Sequence, residues 1–248
     1  MDFWSKVSIR SHKPGEAALS PATAALFDRG VAVAALWGDG MPEALFPAEA
    51  ESVRRAVPKR VREFAAGRMC ARLAMAAHGV PDFVLRVAAD RLPIWPQSLV
   101  GSISHTSGFC VAVVGRASDW WGLGIDTEIL GAPSEDVWST ICGPAEMAWC
   151  EGLPADERAA AVTMLFAAKE AFYKCQYPLT GEWLDFHDLR IECSAWGASQ
   201  SEFSVQPTRP IAVTQFAAGP LEGRYALHDG LVTAGFGLAR DPTETPHQ

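Results

Sequence analysis

The chain has 248 residues, 49% of them hydrophobic, six cysteines and a net charge of −8. That length can bury a substantial core as one large domain or two small lobes, and the acidic balance argues against a general nucleic-acid binder. No run approaches the roughly 18–20 apolar residues of a membrane span, the first residues lack a secretory pattern, and widely spaced cysteines without a CxxC pair suggest buried thiols in a cytoplasmic protein.

The first apolar run, "VAVAALW" at 31–37, ends at Gly38 and reads as a buried strand. The stretch from Pro58 to His78 has helical length and a glycine stop at Gly79. It also concentrates charge: Arg54, Arg55, Lys59, Arg60, Arg62, Arg68 and Arg72 face one acid, Glu63, a net of +6 that leaves −14 for the rest of a −8 chain. "GSISHTSGFCVAVVG" predicts two strands joined by a Ser-Gly turn, and "WWGLGIDTEIL" a third strand. Residues 157–175, "ERAAAVTMLFAAKEAFYKC", have helical composition. "LRIECSA", "EFSVQP" and "GLVTAGFGLA" read as late strands of an α+β architecture, and "RDPTETPHQ", from about residue 240, as a disordered tail. No internal repeat is visible.

In the third strand, Asp126 and Glu128 share a face with Gly122 and Gly124, which would leave that face open, while Ile125, Thr127 and Ile129 point the other way. Two adjacent carboxylates are either a solvated edge or the start of a cation site. On the second helix Val162, Leu165, Phe166, Phe172 and Tyr173 form an apolar arc that contains Lys169, with Glu170 and Lys174 on its flank. Glu170 and Lys174, spaced i, i+4, can be an ordinary surface pair. Lys169 must snorkel or find an anion. Arg68 and Arg72 repeat that anomaly among Val61, Phe64, Ala65 and Met75, which points to a phosphate or a buried carboxylate. Acids and misplaced cations together suggest a phosphorylated ligand with a divalent metal. His105, ending "GSISH", can be structural or functional. The sequence has no GxxxxGK[ST], HExxH or GxSxG motif, and "GLGIDT" lacks the third glycine of a dinucleotide fingerprint.

"GIDTE" (124–128) followed some forty residues later by "FAAKEAFYK" (166–174) resembles the central pattern of the Sfp-type 4′-phosphopantetheinyl transferases, in particular the branch similar to the enterobactin synthetase D component. "LFPAE", "KRVREFAAGRMCARLAM", "RLPIWPQSLVGSISHTSGF" and "YPLTGEWLDFHDLRI" are similar to that branch in the right order, from about residue 45 to 191.

The resemblance implies transfer of the 4′-phosphopantetheine arm of coenzyme A to a serine of an apo acyl or peptidyl carrier protein, releasing 3′,5′-adenosine bisphosphate. It implies two similar α+β lobes related by pseudo-twofold symmetry with the site between them: residues 1–120 for the coenzyme A nucleotide, 121–248 for the metal ligands and catalytic helix. It also implies Mg2+, for which Mn2+ can substitute, held by Asp126, Glu128 and Glu170. Glu170 is then the base for the carrier serine, with Lys174 and Asp126 the other catalytic residues. For coenzyme A, the resemblance assigns Lys174 and Lys169 to the pyrophosphate, Lys169 alternatively to holding the site together. It assigns Arg60 and Arg68 to the 3′-phosphate, Ser104 and His105 to the nucleotide phosphates and Trp183 to the pantetheine groove, with Arg72 and Arg91 as further candidates. A monomer is expected, with no nucleic-acid or membrane partner. Thr127 is not acidic and Ala167 replaces a small hydroxyl or thiol residue; the first leaves the number of metal ions open. A metal-dependent phosphohydrolase would use the same acids to activate water. A catalytically dead carrier-binding module would have lost one of them.

Overall fold

The computed structural model describes residues 14–27 and 30–241; the proposed disordered tail falls almost wholly outside them. In chain order the elements are β1 (Ala18–Leu19), α1 (Pro21–Ala24), β2 (Val31–Trp37), α2 (Pro47–Val53), α3 (Pro58–Ala76), β3 (Leu99–Thr106), β4 (Phe109–Arg116), β5 (Trp120–Ile129), α4 (Trp138–Ile141), α5 (Pro144–Glu151), α6 (Arg158–Thr180), β6 (Leu189–Cys193), β7 (Gln200–Pro207), β8 (Glu222–His228) and β9 (Leu231–Ala239). They form two antiparallel sheets, β1-β2-β4-β3 and β5-β9-β8-β7-β6. The α+β expectation holds, and each sheet carries one long helix.

Strand β4 explains how the lobes meet. Cys110, Ala112 and Val114 face α3, packing with Ala66, Cys70, Ala74 and Met75. Phe109, Val111 and Val113, on the alternate face, pack instead with Leu123 and Ile125 of β5 and Leu231 of β9. A strand buried on both faces needs an unbroken apolar run, which "FCVAVV" supplies. In the second lobe α6 lies on its own sheet through Leu165, Ala168, Ala171 and Phe172, against Val232, Ala234 and Phe236. Five cysteines are buried and Cys193 is half-buried; all six are free thiols.

The predicted hairpin at Ser107-Gly108 is present, with Gly108 at φ 75°. Helix α6 runs five residues past the expected Cys175, through Pro178, and Gly181 at φ 65° ends it. Strand β8 and its hairpin to β9 add to the strands read from the sequence. The turn is Asp229-Gly230, both at positive φ, a common two-residue turn chemistry that "HDGL" displays in the sequence.

The absence of a visible repeat needs correction. "PAE" occurs at 47–49 and at 144–146. In each case the glutamate accepts a hydrogen bond from the residue before the short helix, Phe46 N–H to Glu49 (3.0 Å) and Gly143 N–H to Glu146 (2.8 Å). Each also pairs with a cation 23 residues later on the long helix, Arg72 with Glu49 (3.0 Å) and Lys169 with Glu146 (2.7 Å). Each takes a third bond from a downstream backbone N–H, Leu85 to Glu49 and Ile191 to Glu146. The two lobes share one buried brace. The repeat escaped reading because only four positions in each lobe carry it.

Candidate active site

Helix α6 crosses β5 at Gly122 and Gly124. A Cβ on Gly124 would sit 1.9 Å from the Ala171 carbonyl oxygen, and one on Gly122 would sit 2.7 Å from that of Cys175. The glycine face expected to be open is therefore closed by the helix. This contact brings the helix segment that carries Glu170 and Lys174 onto the strand that carries Asp126 and Glu128. Lys174 Nζ lies 2.6 Å from Asp126 Oδ1.

The strand edge is held from the other lobe. Backbone N–H groups of Ile125 and Thr127 donate to Ser102 Oγ (3.3 Å) and Ser104 Oγ (3.2 Å), where a neighbouring strand would ordinarily offer carbonyls. Ser104 in turn donates to Asp126 Oδ1 at 2.8 Å and accepts from Lys174 Nζ at 3.2 Å. Ser104 is thus buried and occupied with orienting Asp126, and the alternating serines of "GSISH" join the two sheets.

Negative charge exceeds its local compensation. Asp126 Oδ2 is buried without a hydrogen-bond partner. Burial and the neighbouring Asp126 push Glu128 up to about 7, and the same causes raise Glu170. Among the described residues no group of three His, Cys, Asp or Glu is already gathered as a metal site. The donors nonetheless fit a hard cation: they are carboxylate oxygens, one of them buried and unpartnered.

A pH dependence follows. Unfolded, Glu128 titrates near its ordinary 4.5; folded, near 7. The folded form therefore binds this proton more tightly, its stabilising contribution is complete below about 4.5, and it is lost as pH rises through about 7. Melting temperatures in chelator should fall over that window relative to Glu128→Gln. Parallel profiles for the two proteins would contradict the assignment.

Beside the acids lies a cleft of about 710 Å³ between the lobes, lined by Arg60, Arg68, Arg91, His105 and Lys174 with Glu63 as its one acid. Arg60 Nη1 lies 2.7 Å from His105 Nε2; arginine can only donate, so His105 is the tautomer with its proton on Nδ1. Burial, then Arg60, lowers the His105 pKa. Arg68 is buried and stacks on Phe64 with its guanidinium carbon 4.0 Å from the ring centroid. Burial brings it down to about 10, so it remains charged at neutral pH. Arg91, which also lines the cleft, sits at φ 72°, an unusual backbone state for a side-chain-bearing residue.

Two of the candidate ligand residues are bonded within the protein, Lys169 in keeping with the alternative of holding the site together. Arg72 is outside the cleft, bonded to Glu49 and the Ala44 carbonyl. Lys169, 1% exposed, gives three bonds, to Glu146, Ile141 O and Phe186 O. A second cavity of about 280 Å³ is lined by Lys169, Glu170, Tyr173, Trp183, Leu184 and Phe186. Trp183 is 74% exposed there, its ring edge-on to Tyr173 at 5.6 Å. Helix α6 thus shows Lys174 to the cationic cleft and Glu170 to the aromatic one. Glu49, Glu146 and Ser102 are the structurally important residues that sequence reading missed, although the paired "PAE" segments and the alternation of "GSIS" signal them.

A cationic cleft between two lobes, bordered by clustered carboxylates, defines a protein built to handle a phosphorylated ligand of nucleotide size. The family model described as the 4′-phosphopantetheinyl transferase N-terminal domain matches residues 48–115, and that of the 4′-phosphopantetheinyl transferase superfamily matches 122–227. The chain is 39% identical to the 4′-phosphopantetheinyl transferase Svp of Streptomyces mobaraensis over 79% of each chain. It is 35% identical to PptT of Mycobacterium tuberculosis over 82% of this chain and 89% of that one. Enterobactin synthase component D of Escherichia coli K12 is 35% identical over 47% of this chain and 54% of its own. The chain belongs to the 4′-phosphopantetheinyl transferase superfamily. It transfers the phosphopantetheine arm of coenzyme A to carrier proteins.

Proposed function

We propose that Asp126, Glu128 and Glu170, with the coenzyme A pyrophosphate, hold Mg2+ (or Mn2+), and that Glu170 is the base for the carrier serine. The observation that carries this is the Asp126 carboxylate, with one oxygen bonded by Ser104 and Lys174 and the other buried and unpartnered. When bound, the ion neutralises charge on the pyrophosphate.

In this reading Arg60, Arg68 and His105 hold the nucleotide 3′-phosphate and Arg91 flanks the same cleft. Lys174 moves from Asp126 to the pyrophosphate. Trp183 and Tyr173 line the pantetheine groove, placing the arm beside Glu170. Glu170 removes the serine hydroxyl proton while that oxygen bonds to the phosphorus bearing pantetheine. The bond to the bridging oxygen breaks, and 3′,5′-adenosine bisphosphate leaves with the pair of electrons. Ser104, Arg72 and Lys169 serve by holding other groups. Residues 1–120 would form the nucleotide lobe and 121–248 the catalytic lobe of a cytoplasmic monomer. Among the described residues no helix is long and apolar enough to cross a membrane.

Incubation with coenzyme A, Mg2+ and apo carrier protein, followed by intact mass, tests the reading. The carrier should gain phosphopantetheine and release adenosine bisphosphate; hydrolysis of coenzyme A with an unmodified carrier would select the phosphohydrolase. Because Asp126 is buried, Asp126→Asn is the informative substitution. It keeps acceptors for Ser104 and Lys174 but should reduce transfer by about 100-fold or more if charge at this atom is needed. Full activity of the wild type in excess chelator would contradict the metal assignment.

A further inference from the structure

Glu49 lies outside the cleft, yet its hydrogen bonds lead into it. Its carboxylate takes three N–H donors: Phe46 N–H and Arg72 Nη2 on Oε2, and Leu85 N–H on Oε1, each at 3.0 Å. The carbonyl of that same Leu85 accepts from Arg68 Nε at 3.0 Å. Glu49, Arg68 and Leu85 are all buried, and Arg68 lines the cleft while Glu49 and Arg72 do not. Leu85 is bonded at both its N–H and its carbonyl, which belong to successive peptide planes, so the φ and ψ between them are restrained. Its carbonyl then fixes Nε, and the planar guanidinium follows as a unit.

We propose that Glu49, neutralised by Arg72, is a positioning residue that sets the orientation of Arg68 through the backbone of Leu85. Arg68 lines the cleft with Nε bonded to Leu85 and one face stacked on Phe64, which leaves its two terminal nitrogens over. Among the described residues they hydrogen-bond to none, which leaves them for ligand phosphate. The Arg72 position thus influences coenzyme A recognition without touching it. The ligand consequence rests on the assignment of Arg68 to the 3′-phosphate; the positioning itself does not.

Glutamine at 49 offers one acceptor oxygen where three donors converge, and its own NH2 faces N–H groups, so the Leu85 peptide loosens. Two measurements separate the claims. The first is hydrogen exchange of the Arg68 Nε–H by NMR, assigned with Arg68→Lys. It should be slow in the wild type and about tenfold or more faster in Glu49→Gln. The second is the kcat/KM preference for coenzyme A over dephospho-coenzyme A. It should fall about tenfold or more in Arg68→Ala and about three- to tenfold in Glu49→Gln, with kcat for coenzyme A little changed. The double variant should lose no more preference than Arg68→Ala alone, because both losses pass through one guanidinium. Arg72→Lys should retain most of the preference. Should Glu49→Gln fail to fold, Glu49→Asp keeps the charge that pairs with Arg72 but draws the carboxylate back by one methylene from Leu85 N–H, and the same two shifts are expected. Unchanged exchange in a folded variant, or additive losses in the double variant, would overturn the proposal. Faster exchange in Glu49→Gln with an unchanged preference in Arg68→Ala would uphold the positioning and reject the 3′-phosphate assignment.

Discussion

Gly124→Ala is expected to destabilise the protein by about 3 kcal/mol or more and to abolish transfer. The added methyl would lie 1.9 Å from the Ala171 carbonyl oxygen, 2.8 Å from Cys175 N and 2.9 Å from the Ala171 carbonyl carbon. All three atoms are helix backbone, so no side chain can rotate away. Strand β5 or helix α6 must instead shift by more than an ångström, and the interior resists this because it is close-packed. The same shift separates Lys174 from Asp126, now 2.6 Å apart, so activity falls in whatever fraction still folds. Gly219→Ala is the control: its φ is not in the left-handed region and a Cβ there meets nothing within 4 Å. Gly219→Ala should melt like the wild type, and a Gly124→Ala protein that did the same with full kcat would show that the helix does not rest on this glycine.

This contact marks where sequence reading stopped. "GIDTE" and "FAAKEAFYK" announced the acids and the helix, and strand periodicity correctly put Asp126 and Glu128 on the face of Gly122 and Gly124. A strand pattern says which residues share a face, and nothing about what covers it. Here the glycines invite the helix backbone instead of exposing the acids to solvent. Lys169 shows the same limit. A helical wheel identified a cation in an apolar arc, but its partner Glu146 lies 23 residues upstream on another helix, beyond any local period. Removing either member of that pair would leave the other buried and uncompensated, a loss of about 3–5 kcal/mol. Arg72 and Glu49 answer to the same logic, so Arg72, read as a further ligand candidate, is bonded as a brace, and Lys169 is bonded in keeping with the alternative read for it, holding the site together.

The brace also clarifies why neighbouring positions on α6 divide their tasks. Lys169 is fully enclosed by Ile141 O, Phe186 O and Glu146, and so anchors the helix at the point where the next residue, Glu170, reaches the aromatic cavity. One turn further, Lys174 reaches the cationic cleft. An anchored helix can present both groups with little rotational play, which catalysis by positioning requires.

Glu170→Gln should therefore separate activity from stability. The substitution keeps size and shape but removes the charge that the proposed metal ligation and proton removal both need. Turnover should fall by about 10²–10⁴-fold, while the KM for coenzyme A, set mainly in the cationic cleft, changes little. Stability should move the other way. Burial and Asp126 raise the Glu170 pKa, so the folded, metal-free chain disfavours its ionised form. The contribution of a raised carboxyl is lost as pH climbs through its folded value, and a neutral side chain escapes that loss. In chelator above neutral pH, Glu170→Gln should melt at or above the wild-type temperature. Added Mg2+ should stabilise the wild type more than the variant. Near-normal turnover in Glu170→Gln would remove the residue from the reacting centre. A variant that melted well below the wild type in chelator would mean that Glu170 is held in the fold by bonds its raised pKa does not suggest.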